Sequence, residues 1–262
     1  MNSGAVRILG ELPEHVRRYL PDLAIDAAEA EAEIEPFCLS MTARGLTLSA
    51  PSSLGVGSLC LSFLDGRMGW RGSRPHQELL VRACGVRTAT GSQPLRILDG
   101  TGGLGGDSWL LAAAGAEVRC LEQHPVLVAL IADALERARA VAPSIVARVQ
   151  LQCADSAAVL DSMTADQDPA VDVVYLDPMY PARRKAALGD GRLRLIAALL
   201  AADGVSIEDG VGDRLLAAAL QSPVRRIVLK RPLRAERSAV ASSHRLEGRS
   251  TRFDVWLRPA PA

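Results

Sequence analysis

Leu95-Arg-Ile-Leu-Asp-Gly-Thr-Gly-Gly-Leu-Gly-Gly-Asp107 is the stretch that decides the fold of this chain. Its apolar start predicts a strand over Leu95–Asp99, and its end predicts a helix over Asp107–Ala114. Between them, Gly100-Thr-Gly-Gly-Leu-Gly105 fits the G-x-G-x-x-G pattern in the required strand-turn-helix context. Such glycines let backbone approach a nucleotide-type ligand closely, beside the free N–H groups of a helix N-terminus. The pattern alone does not say which nucleotide cofactor binds.

Strands and helices alternate along the rest of the chain. Further strands are predicted at Glu117–Glu122, Arg148–Cys153, Val171–Asp177 and Val224–Lys230, and helices at Pro125–Val141, Ser156–Met163, Arg192–Ala201 and Gly212–Leu220. This alternation is typical of a parallel sheet covered by helices on both faces. Two late segments, His244–Glu247 and Arg252–Leu257, predict a C-terminal hairpin attached to the sheet. The predicted fold class is therefore α/β, with a Rossmann-like, mostly parallel sheet.

A polar, turn-rich segment at 86–94 separates this region from the N-terminal part of the chain. Strands are predicted there at Phe37–Met41, Gly45–Ser49 and Ser58–Phe63, with helices at Asp22–Glu35 and Gln77–Cys84. We therefore predict two domains: a small α+β accessory domain over 1–88 and the Rossmann-like domain over 89–262.

Composition narrows the possible function classes. The chain has zero formal net charge, which argues against a generic polyanion binder. The charge is uneven, however, because residues 223–262 hold ten basic against three acidic side chains, a pattern that suits phosphates. The five cysteines form no C-x-x-C pair, which predicts reduced, buried thiols, no metal site and a cytoplasmic protein. No apolar run approaches the roughly 18 residues of a membrane span, so no membrane partner is expected.

A second motif, Asp177-Pro-Met-Tyr180, follows the strand predicted at Val171–Asp177. The Asp177 carboxylate and the Pro178 carbonyl can accept the two N–H bonds of an exocyclic base amine, a poor nucleophile in itself. Tyr180 can stack on the base and hold it in line with an electrophilic methyl group. With the glycine loop, this motif predicts S-adenosylmethionine (SAM) as cofactor and methyl transfer to a base nitrogen. The alternative interpretation is a strand that ends in a plain proline turn.

Acidic and small residues at the predicted strand ends complete a cofactor site. Asp99 suits the methionine end of SAM through water or backbone, and Glu122 can accept hydrogen bonds from ribose hydroxyls. Asp155 can accept from the adenine amino group, although Asp155 and Ser156 are also favourable helix N-caps, and both roles are compatible. The cofactor candidates from this reasoning are Asp99, Gly100, Gly102, Glu122, Asp155 and Ser156.

Cations flank the acceptor motif in two groups. Arg183-Arg184-Lys185 directly follows it, and Lys230-Arg231 ends a later strand predicted at the same sheet edge. We predict that both groups bind RNA by contacting its phosphate backbone. A solvated surface is the alternative for any such charge run.

Taken together, the motifs resemble the ribosomal RNA small subunit methyltransferase J family. The matching segments are Leu98–Gly105, Leu121–Pro125, Val174–Pro181, Val228–Pro232 and Arg252–Trp256, and the resemblance spans about residues 58 to 257. It implies a SAM-dependent enzyme that methylates the exocyclic N2 of one guanosine near the 3′ end of 16S rRNA. The partner would be 16S rRNA or the small ribosomal subunit, and the size of the chain favours a monomer.

The resemblance also assigns SAM contacts by position. They fall on Gly106, Asp107, Glu122, Gln123, Asp155, Ser156 and Asp177. The chain departs from the family pattern in three places. The family usually has Arg where Gly106 stands, and Arg or Lys where Gln123 stands. The third departure is at residues 71–77, which correspond to the family's glycine-rich basic segment ahead of the SAM domain. These departures affect SAM binding and RNA entry more than the fold.

Other function classes explain less of the sequence. An amino-methyltransferase acting on DNA adenine or protein glutamine shares the motifs, but DNA enzymes often need a target-recognition domain for which this chain lacks room. An NAD-dependent oxidoreductase leaves Asp177-Pro-Met-Tyr180 unexplained. A non-catalytic RNA-binding module would not require Asp177 and Tyr180.

Overall fold

The computed structural model describes residues 6–23, 35–87, 93–164, 171–179, 191–205 and 210–258. Its strands are β1 Val6–Leu9, β2 Phe37–Thr42, β3 Gly45–Ser49, β4 Ser58–Cys60, β5 Arg96–Asp99, β6 Glu117–Glu122, β7 Val149–Cys153, β8 Val173–Leu176, β9 Arg226–Pro232, β10 His244–Glu247 and β11 Thr251–Leu257. Its helices are α1 Glu14–Arg17, α2 Gly66–Gly72, α3 Leu79–Cys84, α4 Gly106–Ala113, α5 Pro125–Arg139, α6 Pro143–Val146, α7 Ser156–Ser162, α8 Gly191–Ala202 and α9 Val211–Gln221.

The chain forms two compact units, each built from several segments. One comprises Met1–Ser62, Pro125–Arg137 and Met179–Asp209, and we call it the first unit. The second unit comprises Phe63–His124, Ala138–Pro178 and Gly210–Ala262. The domain boundary predicted between residues 88 and 89 falls among residues 88–92, outside the described residues, and stays a prediction.

A seven-stranded sheet organises the second unit. Its order is β10-β11-β9-β8-β5-β6-β7, with β5, β6, β7, β8 and β9 parallel. β11 pairs antiparallel with both β9 and β10, which confirms the predicted C-terminal hairpin and the predicted α/β fold class. The strand order reverses at β5, which pairs with β6 on one side and β8 on the other.

Both faces of this sheet are buried. Successive residues of a strand point to opposite faces, and here they belong to two separate apolar clusters. Ile97 and Val173 lie in a cluster with residues of α3 and α4, while Leu98 and Val174 lie in a cluster with residues of α7 and α9. Continuous apolar strands are what a sheet covered on both faces requires.

The first unit contains a four-stranded sheet in the order β1-β2-β3-β4. β1 pairs parallel with β2, and the other pairs are antiparallel. Its strands bury alternate apolar residues such as Ile8, Leu39 and Leu48. α8 packs on β4 within this unit.

Several elements differ from the sequence predictions. β1, α1, α2 and α6 were not predicted, and most predicted ends moved by one to three residues. The helix predicted over Asp22–Glu35 falls mainly on residues 24–34, outside the described residues. All five cysteines are unpaired, but the prediction of buried thiols is confirmed only for Cys84 and Cys120, since Cys38 and Cys60 are partly exposed and Cys153 is exposed. Among the described helices, none combines the length and apolar character needed to cross a membrane.

Candidate functional site

The candidate site lies at the carboxyl ends of β5, β6 and β8 in the second unit. Open α/β sheets bind ligands where the strand order reverses, because the loops after neighbouring strands diverge there. Three of the predicted acidic residues occupy this edge. Asp99 ends β5, Glu122 ends β6, and Asp177 directly follows β8.

The glycine loop between β5 and α4 is tied to both neighbouring strands. Gly100 N donates to Tyr175 O at 3.0 Å, and Gly102 N donates to Leu121 O at 2.7 Å. Gly103 N donates to the Glu122 carboxylate at 2.8 Å. These bonds fix the loop against β8 on one side and β6 on the other.

The glycines of this loop fit a close backbone approach. A Cβ on Gly100 would lie 2.9 Å from a methyl carbon of Leu176, and one on Gly102 would lie 2.8 Å from Cys120 Sγ. Gly103 and Gly105 have φ values of +56° and +72°, which L side chains rarely adopt. Glycine at these positions therefore lets the loop pack closely on β6 and β8 and turn sharply into α4, and its contact with SAM stays a prediction.

Asp99 is buried beneath the loop and organises it. Its side chain accepts hydrogen bonds from Thr101 N at 3.0 Å and from the Ser108 hydroxyl at 2.6 Å. Burial raises the pKa of Asp99 to about 7, against the opposing effect of these two hydrogen bonds. Asp99 thus holds the backbone of the glycine loop in place, and its predicted contribution to SAM binding stays a prediction.

Glu122 and Gln123 lie side by side at the end of β6. The Glu122 carboxylate accepts from Gly103 N and also from His124 N, each at 2.8 Å. Burial raises the pKa of Glu122, and these backbone hydrogen bonds oppose the rise. Gln123 is exposed. Their predicted contacts with SAM remain predictions.

Asp155 and Ser156 begin α7, and both candidate roles of Asp155 are geometrically open. Its carboxylate caps the helix by accepting from Ala157 N at 2.9 Å, while the residue stays exposed. The Ser156 hydroxyl is buried and donates to Gly100 O, which ties α7 to the glycine loop. The N-cap interpretation is confirmed, and the adenine contact stays a prediction.

Asp177 is anchored to the glycine loop through its backbone. Asp177 N donates to the Thr101 hydroxyl at 2.6 Å, so the acceptor motif and the cofactor loop share a direct hydrogen bond. Pro178 is buried, and the Asp177 side chain is 33% exposed. Tyr180, predicted to stack on the base, lies outside the described residues.

Lys230 joins two carboxylates of the site. From the end of β9, its ammonium lies 2.6 Å from Asp177 Oδ2 and 2.9 Å from Asp107 Oδ2. The Tyr175 hydroxyl donates to the same Asp107 oxygen at 2.6 Å. Asp107, near the start of α4, and Asp177 are therefore linked by a single cation.

The charges of this cluster shift each other's pKa values. Burial raises the pKa of Asp177 to about 6, with Lys230 opposing the rise and Asp107 adding to it. For Asp107, burial acts upward, but Lys230 and the Tyr175 hydrogen bond outweigh it and the pKa is lowered. Burial alone would lower the pKa of Lys230, yet its two carboxylate partners raise it. Lys230 is thus a stable cation between the two acids.

The side chains predicted to bind RNA differ in their surroundings. Arg183, Arg184 and Lys185 lie outside the described residues. Lys230 is engaged by the carboxylate cluster, with its side chain 23% exposed. Arg231 is buried and donates to the Asp213 carboxylate and to Glu236 O. The geometry of these last two side chains suits a structural task better than a phosphate contact.

The basic C-terminal region does not form a uniform cationic surface either. Arg226 donates to Ala83 O, and the buried Arg252 donates to Leu233 O and Ala235 O. Arg258 donates to Ser222 O. These arginines stabilise the fold by satisfying backbone carbonyls, so the count of basic residues overstates the charge available to a partner.

Sequence reasoning missed Thr101, Ser108 and Tyr175, which hold the site together. Each bonds to a residue of another element or loop, and Tyr175 Oη reaches a residue 68 positions earlier in the chain. A signal for Thr101 was present inside the glycine loop, where a hydroxyl stands between two glycines.

Comparisons with known proteins agree with this site. Residues 25–258 match the family model described as "Putative SAM-dependent methyltransferase". The chain is 37% identical over 253 residues to the ribosomal RNA small subunit methyltransferase J of Thioalkalivibrio sulfidiphilus, with 94% of each chain covered. It is 42% identical over 216 residues to the protein of that name from Alkalilimnicola ehrlichii, covering 81% of this chain and 79% of the relative.

A solved structure shows the same fold. The crystal structure of a SAM-dependent methyltransferase from Neisseria gonorrhoeae matches with a TM-score of 0.67 and 26% sequence identity. The match covers 96% of this chain and 95% of the other.

Proposed function

Because the chain belongs to the ribosomal RNA small subunit methyltransferase J family of SAM-dependent methyltransferases, we propose that it transfers a methyl group to the exocyclic N2 of a guanosine near the 3′ end of 16S rRNA. The observation that carries the choice of an amine acceptor is the position of Asp177. Its backbone is bonded to the glycine loop through Thr101, and its carboxylate is held by Lys230.

The cofactor would be held by the glycine loop and by the side chains at the strand ends. Gly100, Gly102, Gly106 and Asp107 would line the side of SAM that faces α4. Glu122, Gln123, Asp155 and Ser156 would surround its nucleoside, and Asp99 would act through the loop backbone. SAM supplies the electrophilic methyl group of the reaction when bound.

Asp177 and Pro178 would hold the amine of the target base. Oδ2 of Asp177 is occupied by Lys230, while no group in the described ranges donates to Oδ1. Oδ1 and the Pro178 carbonyl are thus the acceptors for the two N–H bonds, and Tyr180 would stack on the ring. Positioning and electrostatic stabilisation of the nitrogen are expected to supply most of the rate enhancement. A guanosine within a helix would first have to be flipped out.

We propose a positioning role for Lys230 in place of the RNA contact predicted from the sequence. Its ammonium orients Asp177 and favours the ionised carboxylate, which can accept a hydrogen bond from the amine. For Arg231 too, we propose a structural role, which is to hold β9 in place. The residues that we propose to contact RNA phosphates are then Arg183, Arg184 and Lys185.

The test is a methyl-transfer assay with tritiated SAM on small ribosomal subunits from cells that lack the gene. We expect label in N2-methylguanosine. Replacing Asp177 by Ala should lower kcat by about 10²–10³-fold and weaken SAM binding only in part, because the Thr101 bond is to the backbone. Label in another nucleoside, or full activity of Asp177→Ala, would contradict the acceptor assignment without affecting the fold.

We further propose a cytoplasmic enzyme that acts as a monomer. The cluster of Asp107, Asp177 and Lys230 is supplied by one chain, and the proposed substrate is assembled in the cytoplasm. Sedimentation of the active enzyme at assay concentration measures the oligomeric state. An activity that is lost on dilution to monomer would refute this point.

A further inference from the structure

An exposed aromatic side chain stands on α2, in the second unit. Trp70 is 58% exposed, whereas Trp109 and Trp256 are almost fully buried. A large aromatic side chain in water can bury a large apolar area when a partner covers it. Trp70 is therefore available to a partner.

The charges around Trp70 indicate the chemistry of that partner. Arg67 precedes Trp70 by three residues on α2, about one helical turn, and Arg74 follows shortly after the end of the helix. Both arginines are exposed, and the Arg74 guanidinium lies 5.6 Å from the centre of the Trp70 ring. An exposed ring flanked by cations is the combination with which proteins stack unpaired bases and hold their phosphates.

The helix that carries this face is firmly held. Before it, the Phe63 ring stacks on the Trp109 ring with centroids 5.1 Å apart. At its end, Arg71 forms a two-bond ion pair with Glu78 at 2.8 and 2.9 Å. Packing and the ion pair therefore hold α2 in place, so that less conformational entropy is lost when a partner binds to it.

The same helix contacts the cofactor loop. A Cβ on Gly106 would lie 2.7 Å from Met68 Cε, so Met68 packs directly on the first residue of α4. Met68 is two residues from Trp70. A nucleotide stacked on Trp70 would therefore be bound by the helix that packs on the proposed SAM site.

We propose that Arg67, Trp70 and Arg74 form a binding site for single-stranded RNA, in which Trp70 stacks on an unpaired base near the target nucleotide. The inference rests on the proposed function, since it names the RNA segment that the methyltransferase grips. This site differs from the phosphate contacts predicted for the cations at 183–185, because stacking selects unpaired bases while phosphate contacts do not.

The test is a fluorescence titration of the full chain with a single-stranded RNA of the 16S 3′ region and with its duplex form. Because Trp70 is the exposed tryptophan of the three, stacking should quench the fluorescence of the wild-type protein. Trp70→Ala should bind the single strand about tenfold to a hundredfold more weakly and lose the quenching. Trp70→Phe should restore affinity to within about threefold of wild type, since Phe also stacks.

Controls separate this inference from the proposed function. Leu257→Ala, which trims another exposed apolar residue of the second unit, should bind RNA as the wild type does. In the methyl-transfer assay, Trp70→Ala should raise KM for RNA and leave kcat unchanged. If Trp70→Ala binds RNA normally, or if it changes sedimentation instead of RNA affinity because a second copy covers this face, the inference is wrong. If RNA binding depends on Trp70 but no label reaches rRNA, the proposed function fails and the RNA site stands.

Discussion

Lys230 is expected to control the charge state of the acceptor carboxylate. Asp177 has a pKa of about 6 and is faced by Lys230, with Asp107 adding negative charge nearby. Since the ionised carboxylate is the form that accepts the amine N–H bond, activity should fall as the pH drops through about 6. Replacing Lys230 by Met removes the cation and leaves Asp107 unopposed, so the acidic limb of the kcat/KM profile should move upward by about one pH unit or more.

The pH profile of Lys230→Arg is the matched comparison. Arginine keeps the positive charge, so its acidic limb should stay near that of the wild type, even if kcat falls through altered geometry. RNA affinity provides the second measurement. If Lys230→Met instead weakens RNA binding and reduces its dependence on salt, with an unmoved pH profile, then Lys230 contacts phosphate after all.

Individual residues differ in how far the sequence could predict their positions. Asp99, Glu122 and Asp177 were predicted at strand ends because parallel strands place their carboxyl ends at one edge, and the structure puts them there. The ion pairs of Lys230 were not predicted, since its partners lie 53 and 123 residues away in the chain. A local pattern identifies a cation at the end of a strand but not which of its neighbours will neutralise it.

At the scale of elements, a buried carboxylate joins α5 to β3 within the first unit. Asp133 accepts from Leu46 N at 2.9 Å and from Arg137 Nε at 2.8 Å, and its side chain is 3% exposed. Gly45 leaves room for this junction, since a Cβ there would lie 2.6 Å from the Asp133 carboxylate. Arg137 continues the junction by donating to Leu61 O.

Asp133→Ala should therefore destabilise the first unit. The substitution leaves a buried N–H without its acceptor and a guanidinium without its carboxylate. The free energy of unfolding should therefore fall by about 2–4 kcal/mol. Urea unfolding followed by far-ultraviolet circular dichroism measures the free energy. Glu11→Ala removes the same charge from an exposed position and should change stability by less than about 0.5 kcal/mol. If the two substitutions lowered the free energy of unfolding equally, the junction would contribute nothing specific to stability.

The helix α2 shows why one element escaped prediction. Its sequence, Gly66-Arg-Met-Gly-Trp-Arg-Gly72, contains three glycines, and a glycine in a helix interior costs about 1 kcal/mol relative to alanine. Close packing requires two of them, because a Cβ on Gly69 would lie 2.0 Å from Leu64 O and one on Gly72 2.9 Å from Trp109 Nε1. Tertiary contact thus overrides local propensity here. By contrast, α4 and β6 were predicted well because their apolar pattern and their packing agree.

At the scale of the whole molecule, the tryptophans report on one unit only. Trp70, Trp109 and Trp256 all belong to the second unit, which also contains the candidate site. Thermal unfolding followed by tryptophan fluorescence therefore observes the unit that should bind the cofactor. This division was not visible in the sequence, because each unit is assembled from segments that are distant in the chain.

SAM should raise the fluorescence-detected midpoint of thermal unfolding. A ligand that binds only the folded state, at about 100 times its Kd, stabilises that state by about 2.7 kcal/mol. For a unit of this size the corresponding rise in Tm is roughly 5–10 °C. Gln123 is exposed, and neither Gln123 nor Gly106 carries the cation that the resemblance leads one to expect there. SAM affinity should therefore depend on residues such as Glu122. Glu122→Ala should abolish most of the shift, while Gln123→Ala should change it little. An equal rise with NAD would indicate a site that does not discriminate between nucleotide cofactors, and a full shift in Glu122→Ala would remove Glu122 from the cofactor site.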